Sequence, residues 1–186
     1  ILDWPKYNPD QVTGPGENIP IYSLSTNCLY YSAYKILEQM ALTLGKEPDK
    51  QWNNKAEKLK DSINNNFWKE DKKQYLYLFD GDGGCDRQEA LGNSFAILFG
   101  IADKQKTHFI LRNQKICDAG IPCLWPDFER YAAKGSNHYG RQSGTVWPFI
   151  QAFWGSACIM NDSYNLFQHE LLELAKNISS EGDCLE

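Results

Sequence analysis

Six stretches of this chain carry apolar residues at the three- and four-residue spacing of a helix face, and only one stretch alternates with the two-residue period of a strand. Residues 23–44 place Leu29, Ala33, Ile36, Leu37, Met40, Ala41 and Leu44 on one such stripe, with Gly45 behind them as a stop. Residues 49–68 repeat the pattern with Trp52, Ala56, Leu59, Ile63, Phe67 and Trp68. Further helices are expected over 90–102, 104–117, 145–160 and 162–178. Asp86 is the expected N-cap of the third, with Glu89 three residues on as in a capping box, and Asp162 is the expected cap of the sixth. The alternating stretch, Tyr75-Leu-Tyr-Leu-Phe79, predicts a short strand.

Three consecutive hairpins result, with long loops after the even-numbered helices. A simple bundle, whose connections are short at both ends, is thereby excluded. A chain of 186 residues with 42% apolar content can build one core, so a single domain over 1–186 is expected. It opens at Ile1 with no Met, which reads as a piece of a longer polypeptide.

A net charge of −5 with scattered basic residues argues against a nucleic-acid partner, and no apolar run is long enough for a membrane span. The six cysteines form no C-x-x-C pair and the three histidines are dispersed, so no metal site and no cofactor is expected. Cys28 and Cys158 fall inside apolar helical patterns and read as buried thiols, while Cys117 and Cys123 are spaced to bridge a loop.

Residues 135–155 join aromatic and hydrogen-bonding side chains at the mouth of an apolar helix. A sugar ring requires that combination, because its C–H faces pack on aromatic rings and its hydroxyl rim needs groups that donate and accept. Trp147, Trp154 and Tyr139 are candidate faces; Asn137, His138, Arg141, Gln142 and Gln151 are candidate rim residues. The competing reading puts Trp147 and Trp154, seven residues apart, on one core stripe, with Pro148 marking the helix start. Elsewhere, Arg87 offers five donors in a fixed fork for sugar hydroxyls. Glu89 either binds hydroxyls or completes the cap with Asp86. Trp125, Asp127 and Glu129 lie in the loop before the Trp-Pro turn and face substrate or solvent.

Four segments together resemble the six-hairpin glycosidases: Tyr22-Ser-Leu-Ser-Thr-Asn-Cys-Leu-Tyr-Tyr, Leu59-Lys-Asp-Ser-Ile-Asn-Asn-Asn-Phe-Trp-Lys-Glu, Ala90-Leu-Gly-Asn-Ser-Phe-Ala-Ile-Leu-Phe-Gly-Ile-Ala and Gly144-Thr-Val-Trp-Pro. The nearest branch by resemblance holds processing α-glucosidases, glycogen-debranching glucosidases and cellobiose-phosphorylase-like enzymes. The resemblance implies an all-α fold, an (α/α)6 toroid of which this chain supplies about three hairpins with a short β excursion. It further implies a carbohydrate substrate, and a missing N-terminal half whose absence would expose helix faces.

Glycoside hydrolysis needs two carboxyl groups across the scissile bond, held about 6.5–9.5 Å apart when the configuration inverts. Asp3 in Asp-Trp-Pro resembles the Asp-Trp-Asn segment that carries the general acid in phosphorylase-like toroids, although Pro5 departs from that pattern. Trp4 beside it supplies apolar surroundings that raise a carboxyl pKa. For the catalytic base, the same resemblance places a Glu shortly after the last outer helix, where Glu186 stands, with Glu181 and Asp183 as substitutes. The expectation is an inverting oligosaccharide hydrolase with Asp3 and Glu186 as catalytic residues, and Trp4, Trp125, Tyr139 and Trp147 as sugar platforms. Its rivals are a toroid that binds carbohydrate without cleaving it, and a phosphorylase using Arg141, Ser143 and Thr145, for which there is no Gly-rich phosphate cradle.

Overall fold

The computed structural model describes residues 21–80, 83–127 and 143–181. Its helices are α1 (Leu24–Thr43), α2 (Lys50–Asn66), α3 (Ala90–Leu98), α4 (Lys104–Asn113), α5 (Pro148–Ile159) and α6 (Tyr164–Glu181). Its strands are β1 (Tyr22–Ser23), β2 (Trp68–Lys69), β3 (Gln74–Tyr75), β4 (Leu78–Asp80), β5 (Gly83–Cys85), β6 (Gln88–Glu89) and β7 (Leu124–Trp125). The class is all-α with a short β excursion, as the apolar spacing implies.

Packing sorts the helices into an inner and an outer row. Helix α3 lies between α1 and α5, while α2 backs α1 and α6 backs α5. Flanked on both sides, α3 is buried at Ala90, Gly92, Asn93, Ser94, Phe95, Ala96 and Ile97, whereas α2 buries only Ala56 and Ile63. A helix enclosed all round must be largely apolar or small, and α3 is apart from Asn93, whose amide donates to the Glu89 carbonyl at 2.8 Å. The shared core joins Leu24 and Cys28 of α1, Ile63 of α2, Phe95 of α3, Ile110 of α4 and Trp154 of α5.

Trp154 is fully buried in that core, so it is a packing residue and not a sugar face. Cys28 and Cys158 are buried thiols, and Cys117 and Cys123 are not joined to each other and do not bridge their loop. At the two ends of the inner row, apolar side chains face outward: Leu29, Ile36 and Met40 on α1, and Phe149 and Phe153 on α5.

Several boundaries differ from the sequence expectation for local reasons. Asp86 does not cap α3; β6 intervenes, Glu89 takes the N-cap position, and Asp86 instead pairs with Lys72. Asp162 does not cap α6 either, because it sits in the left-handed region at φ 58°, inside the turn that reverses the chain after α5. Helix α4 stops at Asn113, short of the expected Cys117, where the Gln88 side chain binds both the N–H and the carbonyl of Lys115. The expected strand over 75–79 divides: Leu76 N–H bonds to Phe67 O and Tyr77 N–H to Cys85 O, so neighbouring residues serve different partners.

The true cap at this corner is Asp103, whose carboxylate accepts from the Lys106 N–H at 2.8 Å at the start of α4. Asp103→Ala is expected to cost about 1 kcal/mol of stability. Asp86→Ala, losing an exposed ion pair, should change it by less than about 0.5 kcal/mol. Urea unfolding of the two variants checks the assignment.

Candidate active site

Strand β6 runs into α3 with no intervening loop, so Glu89 ends a ladder and begins a helix at once. On one side β6 pairs with β7, Gln88 opposite Trp125 and Glu89 opposite Leu124, and the Ala90 N–H continues the contact to Cys123 O at 3.0 Å. The segment leading to α5 lies along the other edge of β7, through Leu124 N–H to Ser143 O at 2.6 Å and Cys123 N–H to Thr145 O at 2.9 Å. Helix α1 is held at its start by Leu24 N–H to Tyr77 O at 2.9 Å. These bonds gather the approaches to all three inner helices at one end of the row.

A cavity of about 380 Å³ opens there, at the head of α1. Ser25, Thr26 and Asn27 supply hydroxyl and amide groups, Tyr22 and Tyr30 stand half-exposed at its rim, and Glu89 lies at its base. Tyr22 stacks one face on Phe79 at 5.1 Å between ring centroids. The Glu89 side chain is 5% exposed and accepts from the Ser25 N–H at 3.3 Å, not from its own helix. Room for the carboxylate exists because residue 92 is glycine: a Cβ there would collide with Glu89 Oε2 and with the Leu24 side chain.

Burial pushes the Glu89 carboxyl up to about 7, against the opposing pull of the Ser25 hydroxyl and N–H. Near neutrality such a group exists in both forms, and the neutral form can donate and accept at once. That versatility suits a sugar hydroxyl, and in chemistry it suits proton transfer. The thiol of Cys123 is nearby; burial, then the Glu89 charge, pushes it up to about 12, leaving it a poor nucleophile.

The other residues singled out from the sequence are distributed as follows. Arg87 donates from Nε to Pro126 O at 2.9 Å, bracing the turn after β7. Cross-strand partners share a face, so Trp125 lies with Gln88 on the face opposite Glu89. There its ring faces the Lys115 ammonium at 5.5 Å. Trp147 precedes Pro148 as the N-cap of α5 and meets Phe149 edge-on, its indole N–H enclosed without a partner among the described residues. Asp127 accepts from the Ser143 hydroxyl. Gln151 is a buried structural side chain, bonded to Ala119 O and Glu170, and is not on a sugar rim. Glu181 is the last residue of α6. Asp3, Trp4, Glu129, Asn137, His138, Tyr139, Arg141, Gln142, Asp183 and Glu186 lie outside the described residues.

Sequence reasoning missed Ser25, Thr26, Asn27 and Tyr30 as cavity residues. Their signal was present in Tyr22-Ser-Leu-Ser-Thr-Asn, which has the same mixture of rings and hydroxyls as residues 135–155. Among the described residues no group of three or more His, Cys, Asp or Glu side chains could hold a metal ion, and no helix is long and apolar enough to cross a membrane.

An inner row of three helices backed by an outer row, with the heads of α1 and α3 meeting at a cavity that holds the Glu89 carboxyl, is the arrangement of a helical toroid, here present as three hairpins among the described residues. The family model described as the mannosylglycerate hydrolase MGH1-like glycoside hydrolase domain matches residues 3–181, and the chain belongs to that family. Among solved structures, it is similar to a GH63 mannosylglycerate hydrolase from Thermus thermophilus in complex with Tris, at 12% identity and TM-score 0.71, over 88% of this chain and 39% of that one. An uncharacterized conserved protein from Thermus thermophilus is similar at 12% identity and TM-score 0.73, over 89% and 40%. A sialidase is similar at 18% identity and TM-score 0.66, over 89% and 16%. At such identities the likeness is one of fold, and the chain spans about two fifths of the Thermus proteins' length. No curated protein matches the chain by sequence.

The raised Glu89 carboxyl sets a pH dependence. Its folded value of about 7 lies above the ordinary 4.5, so its contribution to stability is complete below about 4.5 and is lost as pH rises through about 7. Glu89→Gln should flatten the fall in thermal midpoint across that window. Gly92→Ala should displace the carboxyl and the Leu24 side chain, costing about 1–3 kcal/mol, as read from denaturant unfolding.

Proposed function

We propose that the natural polypeptide containing this chain is an inverting glycoside hydrolase, and that the cavity at the head of α1 is one of its sugar-binding subsites. The observation that carries this reading is the buried Glu89 carboxyl at the base of a cavity whose walls are hydroxyls and an amide and whose rim is two tyrosines. Tyrosine faces match the C–H faces of a sugar, and the polar wall matches its hydroxyls. Family membership points the same way.

In this reading Asp3 protonates the departing glycosidic oxygen and Glu186 activates water on the opposite side of the ring. Trp4, Tyr139 and Trp147 complete the apolar platforms, with Arg87, His138, Arg141 and Gln142 as hydroxyl ligands, while Trp125, on the face of β7 turned away from Glu89, stands outside this subsite. The exposed apolar flanks of α1 and α5 are the seats of the remaining hairpins. Relatives of the fold have been captured with glucose and with Tris and D-glycerate, which favours small glycosides as the first substrates to try.

The test uses the natural polypeptide with mannosylglycerate, aryl glycosides and short oligosaccharides, following the anomer released by NMR. Hydrolysis with inversion is expected, and Asp3→Asn and Glu186→Gln should each lower kcat by about 10²–10⁴-fold with little change in binding. Binding without turnover in the parent protein would favour the non-catalytic reading, and turnover that requires phosphate would favour a phosphorylase.

A further inference from the structure

Behind the site, the loop between α4 and β7 is clamped at two points. Gln88 of β6 holds it at Lys115, and the α5–α6 hairpin holds it over residues 117–121, His169 meeting Cys117 O at 3.1 Å and Gln151 and Glu170 taking residues 119 and 121. At the second clamp Glu170 and Gln151 are each 2% exposed. Glu170 Oε2 accepts from the Ile121 N–H at 3.1 Å and from the Gln151 amide at 3.0 Å, while the same amide donates to Ala119 O at 3.2 Å. The amide orientation follows from its partners, since turning it over would set its oxygen against the Ala119 carbonyl.

Two oxygens are left over. Glu170 Oε1 and Gln151 Oε1 are both enclosed and both without a hydrogen-bond partner. An ionised carboxylate and a side-chain amide oxygen can only accept, so neither can serve the other, and an unserved buried acceptor is costly. One proton removes both deficits. Placed on Glu170 Oε1, it lets the acid donate to Gln151 Oε1 while the Gln151 amide donates to Glu170 Oε2, the paired arrangement that a carboxylic acid and a primary amide adopt when water is excluded.

We propose that Glu170 is held as the neutral acid at neutral pH in a two-hydrogen-bond ring with Gln151, and that this pair is a positioning element that seats β7 beneath Glu89. The surroundings agree. Burial raises the Glu170 carboxyl above its ordinary range against the opposing hydrogen bonds from the Gln151 amide and the Ile121 N–H and the charge of His169, with Glu173 of α6 adding to the rise, and from α5 the facing titratable group is Cys158, itself pushed up to about 12 by burial and by Glu170. From the loop, the group meets the main chain of Ile121. Gly120, at φ +121°, passes so close that a Cβ there would strike both the Gln151 amide and Glu170 Oε2. Two residues after Ile121 the chain takes up its bonds to Ala90 and Thr145, and Leu124 then pairs with Glu89. The protonation of Glu170 stands apart from any activity; its effect on turnover rests on Glu89 serving the sugar site as proposed above.

The experiment compares the natural polypeptide with Glu170→Gln and Glu170→Ala. Glutamine reproduces the neutral acid's donor and acceptor, and alanine removes both. The infrared difference spectrum of parent minus Glu170→Gln at neutral pH should show the carbonyl band of a protonated carboxylic acid. Glu170→Gln should keep the parent's thermal midpoint and keep kcat/KM within about threefold, whereas Glu170→Ala should lower kcat/KM by about tenfold or more through misplacement of β7. A carboxylate band in place of the acid band overturns the proposal, as does Glu170→Gln behaving like Glu170→Ala. Should the parent hydrolyse no glycoside, the functional reading fails, while the infrared band and the thermal midpoint of Glu170→Gln still decide the state of Glu170.

Discussion

The contact between the head of α1 and the first turn of α3 is the constraint from which the rest of the described structure follows. Leu24 and the Glu89 carboxyl both press on Gly92, and the Ser25 N–H reaches across to that carboxyl. An inner row can assemble only if its middle helix tolerates neighbours on two sides, and α3 manages this with Ala90, Gly92, Ser94 and Ala96. Small residues bring the helix axes close, and closeness removes water from Glu89. The perturbed carboxyl is thus a consequence of helix packing and not a separate feature added to it.

The β excursion has a related role. Strands of two or three residues contribute little by themselves, since an isolated two-stranded pair is marginal in water. Here they tie loops to helix starts: β1 to β4 at α1, and β6 to β7 at α3. Buried side chains complete the fastening, Gln88 on one side of the α4–β7 loop and the Glu170–Gln151 pair on the other. A loop held at both ends by buried polar groups gives a site the rigidity that solvent-exposed loops lack.

The helices were legible because their apolar stripes repeat, and all six stand where that spacing puts them. What the spacing did not reveal was long-range. Asp86 has the sequence of a cap, yet the β6–β7 ladder occupies the place where that cap would form. Gln151 looked like a polar group at the mouth of a site, yet its partner lies nineteen residues away on the next helix. Glu89 was noticed, but its burial depends on Gly92 and Leu24, and only packing brings those together. The hydroxyls of Ser25 and Thr26 by themselves give no sign of the cavity they line, because nothing in a linear pattern distinguishes a helix start that faces solvent from one that faces a cavity.

The direct passage from β6 into α3 leaves Glu89 without slack. A residue carried on a flexible loop can be re-aimed by small changes around it; this one is fastened by a ladder on its N-terminal side and by a coil of backbone hydrogen bonds on its C-terminal side. Lengthening or shortening either neighbour by one residue would rotate the carboxyl out of the hollow altogether. Divergence among descendants of this chain should therefore leave the junction's length alone and alter ligand preference by exchanging the half-exposed side chains of Tyr22 and Tyr30 at the opening, which can change without moving the backbone that carries them.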